Sequence, residues 1–230
     1  DAIWKVLLKT RNVPAIRTIR NYHDHPAYIQ ALADSVLQHW AINGRPEKLV
    51  MSFHGIPERT LQLGDPYHCE CHKTARLLAE RLGLSKAEYR VTFQSRFGKA
   101  KWLEPYTEPT VRELAQQGTE RVDVICPGFT SDCLETLEEI AMEVRAAFIE
   151  DGGREFHYIP CLNAQDSWIE AMYQLALALR DAHGHPYRLA EFVDPEAVLI
   201  TRKSAEGRDL LAIGASELRD LRGARLAMIF

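Results

Sequence analysis

Apolar positions along the chain switch between a helical and a strand-like spacing, and the switching predicts a repeating α/β fold. Ala2–Lys9 reads as the end of a helix, closed by the break at Asn12–Pro14, and Ala15–Arg20 as a short strand. Asp24 and Pro26 introduce a helix to about Ile42, with Ile29, Leu32, Ala33, Val36, Leu37 and Trp40 on one face and Gly44 as its stop. Lys48–Phe53 is a short, mostly apolar run of the kind found in a buried parallel strand. The pattern then repeats: helix His68–Leu82, strand Tyr89–Gln94, helix Glu108–Gln117, strand Arg121–Cys126, helix Leu134–Glu150, strand Glu155–Ile159 and helix Asp166–Ala182. Gly83, Gly118 and the pair Gly152-Gly153 stand at three of the helix ends. Strands alternating with helices over this length predict an α/β parallel sheet flanked by helices on both faces. Such sheets gather their chemistry at the carboxyl ends of the strands. That rule selects the loops after Phe53, Gln94 and Cys126.

Past Ala182 the regularity is lost. His183-Gly184-His185-Pro186 breaks the helix, and Pro195, Gly207, Gly214 and Gly223 punctuate a less regular remainder that reads as a separate piece. Asp1 opens directly into a helix, so both ends read as cut.

Composition narrows the classes. With 230 residues and 46% apolar content the chain can supply a globular core. A net charge of −4 offers no concentrated basic surface for nucleic acid. No stretch approaches the ~18 apolar residues of a membrane span, and no secretory leader opens the chain, so the expected compartment is the cytoplasm. The five cysteines are scattered. Cys69-Glu70-Cys71, between His68 and His72, has no second matched pair elsewhere and makes a poor zinc signal, so structural or incidental thiols are expected there.

Of the three loops, the first is Ser52-Phe53-His54-Gly55-Ile56-Pro57. An imidazole at a strand end, fixed by a permissive glycine and a rigid proline, suits proton exchange near neutral pH and borderline metals. A histidine that merely caps the strand through a backbone hydrogen bond is the alternative, and one residue does not decide between them. In the third loop, Asp132 is followed by Glu135, Glu139 and Glu143 at steps of four, a carboxylate row on one helix face, with Glu138 beside it. Like charges so spaced repel, and no Lys or Arg interrupts Asp132–Glu143. A solvated helix face is one reading and a cation path the other, with the strand-end position favouring the path. A histidine and a carboxylate facing each other without further fixed ligands suit a transiently held divalent metal such as Fe2+. The second loop, 92–103, offers Phe97 and Trp102 to a flat ligand and Arg96 or Lys99 to carboxylates. Gly98-Lys99 lacks the glycine and hydroxyl residue of a phosphate loop.

Together these motifs resemble the bacterial ferrochelatases (protohaem ferro-lyases). The likeness rests on His54-Gly55-Ile56-Pro57, Gly64-Asp65-Pro66-Tyr67, the run Thr92–Gly98 with Trp102, Leu103 and Pro105, and the run Phe129–Glu139, and it extends in order from about Asp1 to Leu179. The resemblance implies a chelatase-like fold of two similar lobes with the porphyrin between them, and insertion of Fe2+ into protoporphyrin IX in haem biosynthesis. It implies His54 and Glu135 as the catalytic pair, His54, Glu135 and Glu139 with Glu143 behind them as metal ligands, and Phe97, Trp102 and Arg96 as porphyrin contacts. On this reading residues 1–25 are a remnant of the N-terminal lobe, 26–163 the C-terminal α/β lobe, and 164–182 a helix packing back toward the first lobe. Residues 183–230 form a non-matching tail.

The departures carry expectations of their own. The lip that covers the porphyrin is expected before Asp1, so the chain reads as N-terminally truncated. No cysteine lies beyond Cys161, so no iron–sulfur cluster and no tightly bound cofactor is expected. Cys133 stands where some relatives carry a histidine. The segments Gly207–Leu211 and Glu217–Phe230 resemble part of the peptide-transporter ABC ATPases, without a phosphate loop. The expected partners are protoporphyrin IX and Fe2+, with no nucleic acid, and with peripheral membrane contact and oligomeric state left open. The competing functions are a non-catalytic metal- or porphyrin-binding fragment and a cobalt or nickel chelatase acting on another tetrapyrrole.

Overall fold

A computed structural model of the chain describes residues 2–13, 18–181, 193–194 and 197–198. The chain divides into two compact units, one of residues 23–171 and one that joins 1–22 to 172–230. The smaller unit contributes helix α1 (Ala2–Leu7) and an antiparallel pair of two-residue strands, β5 (Val193–Asp194) and β6 (Ala197–Val198). The strand expected over Ala15–Arg20 lies partly outside the described residues, and Thr18–Arg20 carry no strand. The tail expected to resemble a transporter segment lies outside them almost entirely.

The unit of residues 23–171 holds a four-stranded, all-parallel sheet. Its elements are α2 (Pro26–Asn43), β1 (Lys48–His54), α3 (Glu58–Gln62), α4 (Tyr67–Leu82), β2 (Tyr89–Gln94), α5 (Thr107–Gln116), β3 (Arg121–Ile125), a π-helix (Glu135–Val144) running into α6 (Arg145–Glu150), β4 (Glu155–Ile159) and the start of α7 (Asp166–Asp181). The strand order is β2-β1-β3-β4. Chain progress therefore runs outward in opposite directions from β1, and the reversal lies between β1 and β3, where open α/β sheets form a crevice at their carboxyl ends.

The pleat separates two cores. Val122 and Val124 of β3, Phe156 and Tyr158 of β4 and Val50 of β1 pack with Val111 and Leu114 of α5, Ile140 and Val144 of the π-helix and Phe148 of α6. Successive strand residues face opposite ways, so Arg121 and Asp123 of β3 and Glu155 and His157 of β4 point to the other face, where α2 and α4 pack together. Ile29, Leu32, Ala33, Val36 and Trp40 of α2 are buried as the periodicity predicts, and Tyr28 is buried beside them. Leu37, placed on the same face by that periodicity, is instead 48% exposed. The broader α2 seam is completed by Ala33 and Ser35, small residues that allow close approach.

The helix expected as one α-helix over Leu134–Glu150 is a π-helix for ten residues, Glu135–Val144, and only then α-helical. A π-helix is closed by i→i+5 bonds, and runs of this length are rare outside functional sites. Among the described residues no helix is long and apolar enough to cross a membrane.

Gly153 turns the chain from α6 into β4 directly over the ring of Phe148. A methyl group at this position would overlap that ring, and Phe148 is fully buried with no room to retreat. Gly153→Ala is expected to destabilise the fold by about 1–3 kcal/mol, the usual cost of overpacking a closed core. Urea denaturation followed by circular dichroism measures this, and an unchanged midpoint would show that the ring yields.

Candidate metal and porphyrin site

The carboxyl end of β1 delivers His54 into an open pocket of about 520 Å³. Register holds it there: His54 pairs with Gln94 at the end of β2, and the Gly55 amide donates to the Gln94 carbonyl at 2.8 Å. A Cβ on Gly55 would stand 2.9 Å from that carbonyl oxygen and 3.1 Å from the Trp102 ring. Only glycine lets the chain pass at this point. The His54 ring lies 6.3 Å from Trp102 and 6.1 Å from Phe129, centroid to centroid. Its Nδ1 is 2.6 Å from the Gly55 carbonyl oxygen. A carbonyl only accepts, so Nδ1 donates, and in the neutral ring Nε2 presents a lone pair. The backbone hydrogen bond of the capping alternative is present, and it engages only one of the two ring nitrogens.

The opposite wall is the π-helix. Glu135, Glu138, Glu139 and Glu143 all line the same pocket. The row expected from the four-residue spacing survives the change from α to π winding. Its members differ in their surroundings. Glu139 is held by the Ser95 amide at 2.7 Å and the Ser95 hydroxyl at 2.6 Å. Ser95 takes a left-handed backbone, φ 63°, to aim both donors at that carboxylate. Glu135 stays ionised below the usual carboxylate range, first because the Cys133 thiol donates to it, then through its own backbone amide and the nearby His54. Burial pushes the Cys133 thiol up, which keeps its proton in place as a donor. Among the described residues no Lys or Arg forms an ion pair with any of the four glutamates.

Asp132, expected to add negative charge near the row, is instead engaged by neighbouring donors. Tyr158 donates to its Oδ1 at 2.6 Å, Asn163 to its Oδ2 at 2.6 Å and the Cys161 amide to Oδ1 at 3.2 Å. Burial opposes its charge, yet these bonds outweigh burial and hold its pKa low. Asp132 is the anchor of the loop after β3 rather than part of the cation row.

The second loop completes the pocket with Arg96, Phe97 and Trp102. Phe97 is 84% exposed at the rim. Arg96 lies over the Tyr106 ring at 4.9 Å, so its charge is placed without an ion pair. The indole nitrogen of Trp102 is buried with no partner among the described residues. Every sequence-expected site residue, His54, Glu135, Glu139, Glu143, Phe97, Trp102 and Arg96, therefore reaches one pocket. Sequence reasoning missed Gln94 and Ser95. A glutamine ending a strand that already carries Arg90 and Thr92 gave no distinct local signal, although once buried its amide requires partners. By contrast Cys71 faces the core, its thiol pushed up to about 12 by burial, while Cys69 faces solvent, so the pair shares no site.

The ferrochelatase family model matches residues 1–179. The chain is 60% identical over 215 residues to the ferrochelatase of a Polaromonas species, covering 94% of this chain and 56% of the relative. It is 64% identical over 176 residues to that of Herminiimonas arsenicoxydans, covering 76% and 48%. With the ferrochelatase of an Azoarcus species it shares 55% over 217 residues, covering 94% and 57%. The chain spans about half the length of these curated relatives. Alignments over 94% of the chain also run past residue 179, into the region where the sequence pattern changes character.

The Cys133–Glu135 contact makes a checkable demand. Replacing Cys133 by Ala removes the first cause of the low Glu135 pKa, so the carboxyl should titrate at higher pH, toward its ordinary value. Carbon-13 NMR of the glutamate carboxyls reads this shift, and an unmoved Glu135 titration would show that the thiol plays no part.

Proposed function

The chain belongs to the ferrochelatase family, and on that premise we propose that it carries the metal-insertion centre of a ferrochelatase, which places Fe2+ in protoporphyrin IX to form protohaem. The observation that carries this reading is one pocket with a half-anchored imidazole on one wall and an unpaired carboxylate row on the other. Insertion exchanges two pyrrole N–H protons for one dication. The reaction therefore needs a base over the ring and a route for charge. His54 Nε2 supplies the base, accepting pyrrole protons one at a time. Glu135, ionised below the usual carboxylate range, with Glu139 and Glu143 following it along the helix, carries the metal inward or the protons outward. Fe2+ enters here as substrate.

Phe97 and Trp102 present aromatic surface to the macrocycle, and Arg96 meets a propionate. Phe97 and Leu134, 84% and 69% exposed, give the rim an apolar edge suited to receiving porphyrin from a membrane surface. The enzyme works in the cytoplasm with peripheral contact to that membrane.

A second reading follows from length. A chain spanning about half of its relatives can hold the metal side of the site and bind porphyrin without turning it over. A cobalt or nickel chelatase acting on another tetrapyrrole uses the same chemistry, and the aromatic-bearing loop 92–103 disfavours it.

Fluorescence of zinc porphyrin separates these. Zn2+ insertion into protoporphyrin by the chain should exceed the uncatalysed rate, and His54→Ala should lower it about 10²–10⁴-fold, the usual worth of a positioned base. Porphyrin binding with insertion at the background rate would support the fragment reading. Insertion unaffected by His54→Ala would remove the mechanism, and faster Co2+ insertion into sirohydrochlorin would move the substrate.

A further inference from the structure

Away from the pocket, the parallel register of β3 and β4 sets Asp123 directly beside His157. Both side chains point to the α2 face, because their strand neighbours fill the opposite core. One helix residue joins them there: His39 of α2. Its Nε2 lies 3.2 Å from Nδ1 of His157 and 3.6 Å from Oδ2 of Asp123. These three donor atoms all lie within 4.8 Å of one another. We propose that His39, Asp123 and His157 form a second divalent-metal site, of the zinc class, separate from the pocket of His54.

The distances carry the argument. Tetrahedral ligands at ~2.0–2.2 Å from a zinc-class ion stand about 3.3–3.6 Å apart. Of the two separations from His39, 3.6 Å to Asp123 fits that spacing and 3.2 Å to His157 falls just short of it, so the imidazoles need to part only slightly to admit an ion. Two imidazoles with one carboxylate select a borderline cation such as Zn2+, Co2+ or Fe2+ over Mg2+ or Ca2+, which take mainly oxygen ligands.

The surroundings fix the donors as well. Glu155 Oε1 is 2.9 Å from Nε2 of His157. A carboxylate there accepts the Nε2 proton and turns the Nδ1 lone pair toward His39, the outer partner that metal-bound histidines usually have. The Trp40 indole donates to Asp123 Oδ2 at 2.9 Å, leaving that oxygen a further lone pair. Arg121 faces the other oxygen, Oδ1, at 3.4 Å and also Glu155 at 3.6 Å. Its single positive charge meets two carboxylates, so the cluster with neutral imidazoles is net negative and favours a dication. Asp123 is fully buried, while the side chains of His39 and His157 remain 15% and 21% exposed and form the entrance. With ligands drawn from α2, β3 and β4, a bound ion would pin the helix to the sheet.

Co2+ tests this through its visible absorption, which reports a low-coordinate nitrogen site. The 230-residue chain carrying His54→Ala, which removes the pocket imidazole, should bind one equivalent of Co2+ with such a spectrum. His157→Gln should weaken that binding at least 100-fold. Glu155→Gln, a change at a half-exposed position that leaves the three ligands in place, should weaken it about 10–100-fold. Nitrogen-15 NMR of the His54→Ala chain with Zn2+ needs no change at the site: the facing ring nitrogens of His39 and His157 should shift together at one equivalent. Unmoved ring nitrogens, or Co2+ affinity unaltered in a folded Glu155→Gln or His157→Gln chain, would overturn the site and leave a hydrogen-bonded histidine pair.

Discussion

The side-chain amide of Gln94 is the interaction on which the pocket depends. It is buried at the end of β2, and both of its ends are engaged. Its oxygen accepts from the Ser52 hydroxyl at 2.7 Å and the Cys126 thiol at 3.4 Å, and its nitrogen donates to the Glu135 carbonyl at 2.7 Å and Glu139 Oε2 at 3.4 Å. One side chain thus ties β1, the end of β3 and the first turn of the π-helix to β2. The network continues through Ser52 to Thr107 and from Thr107 to Thr92, 2.7 and 3.0 Å, so the first residue of α5 is held too. Buried polar networks specify one geometry strongly when they are fully satisfied. Here the geometry specified is the distance between the histidine wall and the glutamate wall.

The same bond bears on the π-helix. Gln94 enters the ladder at the helix's first carbonyl, the kind of side-chain intrusion that perturbs regular helical pairing. Ser95 then binds Glu139, one turn further on. Two consecutive residues of β2 and its loop therefore grip two successive members of the acidic row. Like charges on one helix face repel, and backbone and side-chain donors offset that repulsion without placing a cation in the row. Had Lys or Arg supplied the offset, the carboxylates would be neutralised and could no longer attract a cation.

Much of the fold was legible because its strands are short runs set between helical spacings, and β1, β2, β3 and β4 all lie within a residue of where the pattern places them. Legibility failed where one spacing fits two structures. Carboxylates at steps of four make a row on an α-helix and on a π-helix alike, so Glu135, Glu139 and Glu143 could be read as a row while the winding could not. Leu37 failed because apolar residues carry no label for the edge of a buried face. Gln94 was invisible as a hub, since its partners come from residues 42 positions before and 32 to 45 after it. The His39–Asp123–His157 cluster was harder still. It exists only through the β3–β4 register and the placement of α2, neither of which local sequence reports.

The two clusters suit opposite tasks, and the sheet explains why. At the strand ends, donors come from the last residue of β1 and from a helix wall facing an open pocket, and Glu138 and Glu143 are exposed to water. A dication held there keeps much of its water and meets mostly oxygen, conditions that favour exchange. On the proposed function the metal must leave for a porphyrin and needs this weakness: every interaction that tightens the waiting ion without also tightening the transition state slows transfer. In the body of the sheet, by contrast, Asp123 and His157 are fixed by adjacent strand positions, and Trp40, Glu155 and Arg121 restrict their side chains further. Ligands whose rotamers are locked lose little freedom on binding, so the same preorganisation that would hinder delivery favours retention. Taken together, the two proposals have one chain keep one ion while moving another, with the openness of each site, more than ligand identity, deciding which is which.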